Sequence, residues 1–202
     1  MTAQNTRKGK IAVIILAAGK SSRLGSPKQL LKFKGINLLQ QSINAALGSK
    51  ASQVILVLGS SAEEIKKQLN TRQITILENP DWELGMSSSI RCGLSYTISN
   101  NTDIQAVILM VCDQPFVSSD LLNELIRTYQ SGDKDIIACF YDDVPGTPAL
   151  FHKNMFQELL SLEGDKGARI LFNKFASQTG TVSFKEGSID IDTLENYQNL
   201  AK

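Results

Sequence analysis

The sequence predicts an α/β architecture: a mostly parallel central sheet with helices on both faces. Three observations carry this. Short apolar runs alternate with amphipathic segments along the chain, the pattern of repeated βα units. Most of these runs are continuous rather than alternating, as strands covered on both faces must be. The 202 residues, 42% hydrophobic and 20% charged, suffice for one substantial core.

Residues 11–16 read as the first strand. Arg7, Lys8 and Lys10 before it and Ala17-Ala18-Gly19 after it imitate a secretory signal. The apolar run sits at the short limit for such a region, so a core strand of a cytoplasmic protein is the preferred reading. A helix follows over 37–47, where Leu39, Ile43 and Leu47 recur on one side. Strands are expected at 54–58, 74–77, 106–111 and 136–141, with helices at 62–69, 87–98 and 118–129. Ser118 or Ser119 can cap the last of these, with Asp120 in its first turn. Beyond Gly146 the elements shorten: strands at 149–151 and 181–184, and helices near 154–162 and 168–175. This part should form a lid or wall over the carboxyl edge of the sheet. No repeat, proline-rich linker or low-complexity block interrupts the chain, so one domain is expected over 1–202, with a flexible N-terminus at 1–10.

Charge is unevenly spread. The net value of +1 combines +9 before Glu63, where no acidic residue occurs, with −8 behind it. An acid-free front end points to a small anionic ligand. An acidic remainder and 6% aromatics speak against a general nucleic-acid binder. No apolar run is long enough to span a membrane. Cys92, Cys112 and Cys139 are odd in number and widely spaced, which suits buried reduced thiols. The single histidine, His152, has no partner cluster, so neither a zinc site nor a Ser-His-Asp set is supported.

Ligands of open α/β sheets bind beyond the carboxyl ends of the strands. The loops after Leu16, Leu58 and Val111 should emerge there. The first, 17–28, carries Lys20, Arg23 and Lys28 among small residues. Its "GKS" lacks the glycine that a P-loop requires five positions before Gly19, where Ile14 stands. The dinucleotide fingerprint fails too, because Ser21 and Ser22 stand in the region of its later glycines. What remains is a loop whose backbone N–H groups can approach phosphate oxygens while its cations neutralise them. Asp113, directly after the strand at 106–111, is placed to hold Mg²⁺ against such phosphates. In "SIDID", Asp190 and Asp192 alternate with isoleucines, so a strand would present both to one face as further metal contacts. Asp192 also resembles a helix cap with Glu195 as its capping-box partner. In "ENPDWELGMSSSI" three serines open a helix whose N-terminus can take an anion, a ribose or a base edge.

"LAAGKSSRLGSPKQLL" resembles the signature loop of the nucleotidyltransferases with a Rossmann-like three-layer α/β/α fold, of the nucleotide-diphospho-sugar transferase type. With "ENPDWELGMSSSI", "VCDQPFV", "GTPALF", "LEGDKGARILF" and "DIDTLENY" in family order, the chain is most similar to the molybdenum-cofactor cytidylyltransferases. That branch includes accessory proteins of xanthine-dehydrogenase-type enzymes. The resemblance implies Mg²⁺-dependent transfer of CMP from CTP to the terminal phosphate of molybdopterin. It leaves open a sugar or alcohol phosphate as acceptor, or a non-catalytic molybdopterin carrier serving a molybdenum hydroxylase. Neither nucleic acid nor membrane is implied as a partner. Ala18, where the guanylyl-transferring branch usually has glycine, favours CTP over GTP. By the same resemblance Leu16, Ala17, Ala18, Gly19, Lys20, Ser21, Ser22, Gly59, Asn79, Ser87, Ser88 and Ser89 would contact the nucleotide. Arg23 and Lys28 would hold its triphosphate, Asp113, Asp190 and Asp192 the metal, and Gly146, Pro148, Asp165, Lys166 and Arg169 the acceptor.

Overall fold

In a computed structural model, residues 7–20, 27–191 and 197 are described. β1 (Lys10–Ala17) is followed by a small hairpin, β2 (Lys32–Phe33) and β3 (Ile36–Asn37), and by α1 (Leu38–Leu47). β4 (Gln53–Leu58), α2 (Ala62–Lys66), β5 (Thr75–Glu78), α3 (Met86–Asn100), β6 (Ile104–Val111) and α4 (Ser119–Ser131) continue the alternation. The last part holds β7 (Ile136–Tyr141), β8 (Val144–His152), α5 (Phe156–Leu160), α6 (Arg169–Lys174) and β9 (Thr179–Ser183).

The seven-stranded sheet has the order β5-β4-β1-β6-β8-β7-β9. Its pairings are parallel except those of β8, which lies antiparallel between β6 and β7. The period-two alternation of strand side chains divides β1 between two cores. Val13 and Ile15 point to one face, joined by Leu39 and Ile43 of α1, Ile65 of α2 and Leu125 of α4. Ala12, Ile14 and Leu16 point to the other, joined by Ile90 and Leu94 of α3, Leu159 of α5 and Leu171 of α6. Gly93 of α3 lets that helix approach the sheet, since a Cβ there would lie 2.6 Å from Ile14 Cγ2. The result is three layers, α/β/α, with β6 the central strand and β1 beside it. No helix of the described residues is long and apolar enough to cross a membrane.

Several expectations change in extent. The helix expected over 62–69 is α-helical only through Lys66, ending before the polar turn around Asn70 and Thr71. The strand expected at 149–151 is the far end of the nine-residue β8, whose first half carries Pro145, Gly146 and Pro148 and so hides its strand character. Residues 7–10, expected to belong to a flexible N-terminus, are held. Arg7 donates to the carbonyls of Asp133 and Lys134, pairs with Asp135 at 2.9 Å and lies over the Tyr129 ring. None of the three cysteines is in a disulfide; Cys112 and Cys139 are buried, and burial pushes the Cys139 thiol up to about 12. Ser118 caps α4, its hydroxyl accepting from the Leu121 N–H at 3.2 Å.

Candidate active site

The carboxyl ends of β1, β4 and β6 lie side by side, with Ala17 level with Leu58 and Leu16 level with Val111. Loops leaving them must share one edge. The chain leaving β1 is fixed from two directions. The Ala18 carbonyl accepts the Ser60 N–H at 3.0 Å, tying it to the loop after β4. Gln29, 1% exposed, donates its amide to the carbonyls of Ala17 at 2.9 Å and Gly19 at 3.2 Å. Gly19 and Lys20 are exposed. Ser21, Ser22 and Arg23 lie outside the described residues.

Lys28 opens a 3-10 turn, Lys28–Leu30, and its ammonium lies 2.5 Å from Asp113 Oδ2. The ends of β1 and β6 thus meet through a charge-assisted hydrogen bond between two half-buried side chains. Behind Asp113, the buried Gln114 donates to the Gly187 carbonyl at 2.8 Å and the Tyr141 hydroxyl at 3.3 Å, and accepts from the Thr147 hydroxyl at 3.3 Å. The Ile191 N–H donates to the Asp113 carbonyl at 3.0 Å. These bonds fasten 187–191 alongside the end of β6, so Asp190 and Asp113 line one cavity. Residues 189–191 do not form a strand. A 3-10 turn, Lys185–Ser188, ends in irregular chain, because 187–191 bonds back to Asp113 and Gln114 rather than to a neighbouring strand. Asp192 lies outside the described residues, as does its expected helix cap. Among the described residues no three His, Cys, Asp or Glu side chains cluster as a metal site.

Two cavities adjoin at this edge. The first, about 410 Å³, is bounded by Leu16, Ala18, Gly19 and Lys20 on one side and by Trp82, Gly85, Met86 and Ser89 on the other. The second, about 470 Å³, is lined by Asp113 and Asp190, by Lys166 and Arg169, and by Thr147. Met86 and Asp165 line both. Between them, Gly85 and Gly167 adopt φ +94° and +57° and let the 164–167 turn lie against the start of α3. A Cβ on Gly167 would lie 2.8 Å from Met86 Sδ.

Other expected contacts sit elsewhere. Asn79 is buried and turns its polar atoms inward, its amide donating to the hydroxyls of Ser88 at 2.8 Å and Ser89 at 3.0 Å while its oxygen accepts from Asp81 N–H. It shapes the start of α3 from behind. Ser88 donates to the Gly85 carbonyl, Ser89 reaches the first cavity, and Ser87 is fully buried with its hydroxyl unpaired. Gly59 is covered by Trp82, against whose Cβ its own Cβ would lie at 2.5 Å. Gly146 and Pro148 are buried in β8, Gly146 against Tyr141, while Thr147 between them faces the second cavity. Trp82, Gln29 and Gln114 were not singled out by the motifs. Only their packing gives them a place here, although all three lie within quoted stretches.

These features match known proteins along most of the chain. A solved structure of Rv0371c from Mycobacterium tuberculosis superposes with a TM-score of 0.83, at 28% identity, covering 96% of this chain and 98% of that one. Rv0371c has also been solved in complex with manganese, with a TM-score of 0.80 at 27% identity over 95% of this chain and 98% of that one. The molybdenum cofactor cytidylyltransferase of Escherichia coli is 26% identical over 93% of both chains. The nicotine blue oxidoreductase of Paenarthrobacter nicotinovorans is 28% identical over 93% of this chain and 94% of its own. The class is that of the nucleotidyltransferases. The model of the MobA-like NTP transferase domain matches residues 13–180, and the chain belongs to that family.

Proposed function

We propose that this nucleotidyltransferase transfers CMP from CTP to the terminal phosphate of molybdopterin, releasing pyrophosphate. The carrying observation is the Lys28–Asp113 pair at 2.5 Å, which joins the chain returning from β1 to the end of β6, where Asp113 lines the second cavity. The relative from E. coli is named for the cytidylyl reaction, and Ala18 favours CTP by resemblance.

Joining two anions demands positioning and charge neutralisation more than a protein nucleophile. An oxygen of the acceptor phosphate bonds to the α-phosphorus as the bond to the bridging oxygen of pyrophosphate breaks. Lys28, with Arg23, neutralises the triphosphate. Lys166 and Arg169, which line the second cavity with Asp113, hold the acceptor phosphate. Asp113 and Asp190 offer hard carboxylate oxygens, and Mg²⁺ is commonly held by one or two carboxylates together with substrate phosphates. The pair therefore fits Mg²⁺ without a dedicated protein cage; the manganese complex of Rv0371c is consistent with a divalent ion. When bound, such an ion neutralises and polarises phosphate oxygens. The client of the product would be a molybdenum hydroxylase of the xanthine-dehydrogenase type.

Pyrophosphate release is the test: a nucleotide panel with Mg²⁺, with molybdopterin or with sugar and alcohol phosphates as acceptors. The expected result is release with CTP and molybdopterin only. Release with another acceptor reassigns the substrate, and binding without release favours a carrier. Lys28→Ala and Asp113→Asn should each lower turnover on the order of 10²-fold or more. Wild-type turnover in either would refute their assignment.

A further inference from the structure

Trp82 is the one tryptophan in the chain, and no signature residue of the nucleotide loop explains it. It sits in a 3-10 turn, Trp82–Leu84, directly before α3. Its root lies flat on the backbone of Gly59: a Cβ there would fall 2.5 Å from Trp82 Cβ, 2.7 Å from its Cγ and 2.8 Å from the Ala18 carbonyl oxygen. The Ser60 N–H bonded to that same carbonyl draws the β4 loop against the β1 loop. On the other side the turn is anchored by the Asp81 N–H to Asn79 Oδ1 and by the Gly85 N–H to the Trp82 carbonyl at 3.2 Å. Held at both ends, the half-buried side chain lines the first cavity opposite Leu16, Ala18 and Gly19. A planar indole fixed beside a slot of about 410 Å³ suits a flat heterocycle, because every base offers a π-face to stack on.

We propose that Trp82 is the aromatic wall on which the nucleobase stacks, with Gly59 as the seat that sets its position. This rests on the reading of the first cavity as the nucleotide site. Stacking tolerates any base, so Trp82 contributes affinity and orientation, while the choice of base is left to polar groups such as the backbone around Ala18.

Because there is one tryptophan, intrinsic fluorescence reports on this side chain alone. CTP and, at higher concentration, cytidine should quench it saturably; inorganic triphosphate should displace CTP without quenching of its own. Trp82→Ala should raise the KM for CTP by about 5- to 150-fold with a much smaller change in kcat. Trp82→Phe should recover most of the loss, which a merely structural role would not predict. Gly59→Ala, pushing the ring from behind, should weaken CTP in the same direction without removing the indole. Equilibrium dialysis showing CTP bound to both wild type and Trp82→Ala with equal affinity would overturn the role of Trp82 and leave the nucleotide site intact. Absence of any nucleotide binding to wild type would overturn the site reading itself.

Discussion

Gly85→Ala is the sharpest perturbation of the seam between the cavities. Gly85 has φ +94° and ψ −178°, a region essentially closed to residues with a Cβ, where occupancy costs about 1–3 kcal/mol. The new methyl would also lie 2.3 Å from Asp165 Oδ1, 2.7 Å from the Gly164 carbonyl carbon and 2.8 Å from its oxygen. The carboxylate can rotate away, but the Gly164 backbone cannot yield without moving the whole turn. Overpacking of that kind costs about 1–3 kcal/mol. Together the two terms predict a loss of about 2–6 kcal/mol. With a urea slope of about 3 kcal/mol/M, the upper end for small proteins, the midpoint should fall by about 0.7–2 M. Gly35→Ala isolates the backbone contribution, since Gly35 has φ +82° but nothing within 4 Å of its Cβ; about 1–2 kcal/mol is expected there. Displacing the turn moves Asp165 and Lys166 as well, so the acceptor KM of Gly85→Ala should rise more than that of CTP. A loss no larger than that of Gly35→Ala, with unchanged kinetics, would refute the reasoning.

Gln29→Ala removes the two hydrogen bonds that hold the Ala17 and Gly19 carbonyls, at a cost of about 1–3 kcal/mol by urea unfolding, and should raise the KM for CTP. An unchanged KM would detach this loop from the nucleotide. His152 gives a single NMR titration: burial lowers its pKa below 6.5, Asp135 pulling it up and Arg7 and Lys153 pushing it down. With the folded value below the unfolded one, its contribution to stability is complete above about pH 6.5 and is lost as pH falls through the folded value. A titration midpoint at or above 6.5 would contradict this.

The sheet was readable wherever burial on both faces left a continuous apolar run, as at β1, β4 and β6. β7 matched its expected span of 136–141. β8 was half hidden by its prolines and glycine, and its antiparallel insertion between β6 and β7 is a tertiary choice that apolar periodicity does not encode. In the site, Lys28 and Asp113 were visible as charges beside strand ends. Trp82 was not, because what matters is the bare backbone of Gly59 beneath it, 23 residues earlier in the chain. The inward turn of Asn79 was hidden for a related reason: a polar residue in a motif-rich loop does not announce whether its side chain faces the cavity or the core.

The reversed strand β8 has a further consequence. Running against its neighbours, it makes the β7–β8 turn fall at the carboxyl edge, so Thr147 arrives beside Asp113 without a crossover helix. The first cavity is lined by the chain leaving β1 and the stretch leading into α3; the second draws on the end of β6, this hairpin and the short elements after it. Among the described residues the two meet at Met86 and Asp165. On the proposed function, part of the acceptor pocket is thus carried by the hairpin and the elements after it, so the acceptor can be altered there while the chain leaving β1 is left as it is.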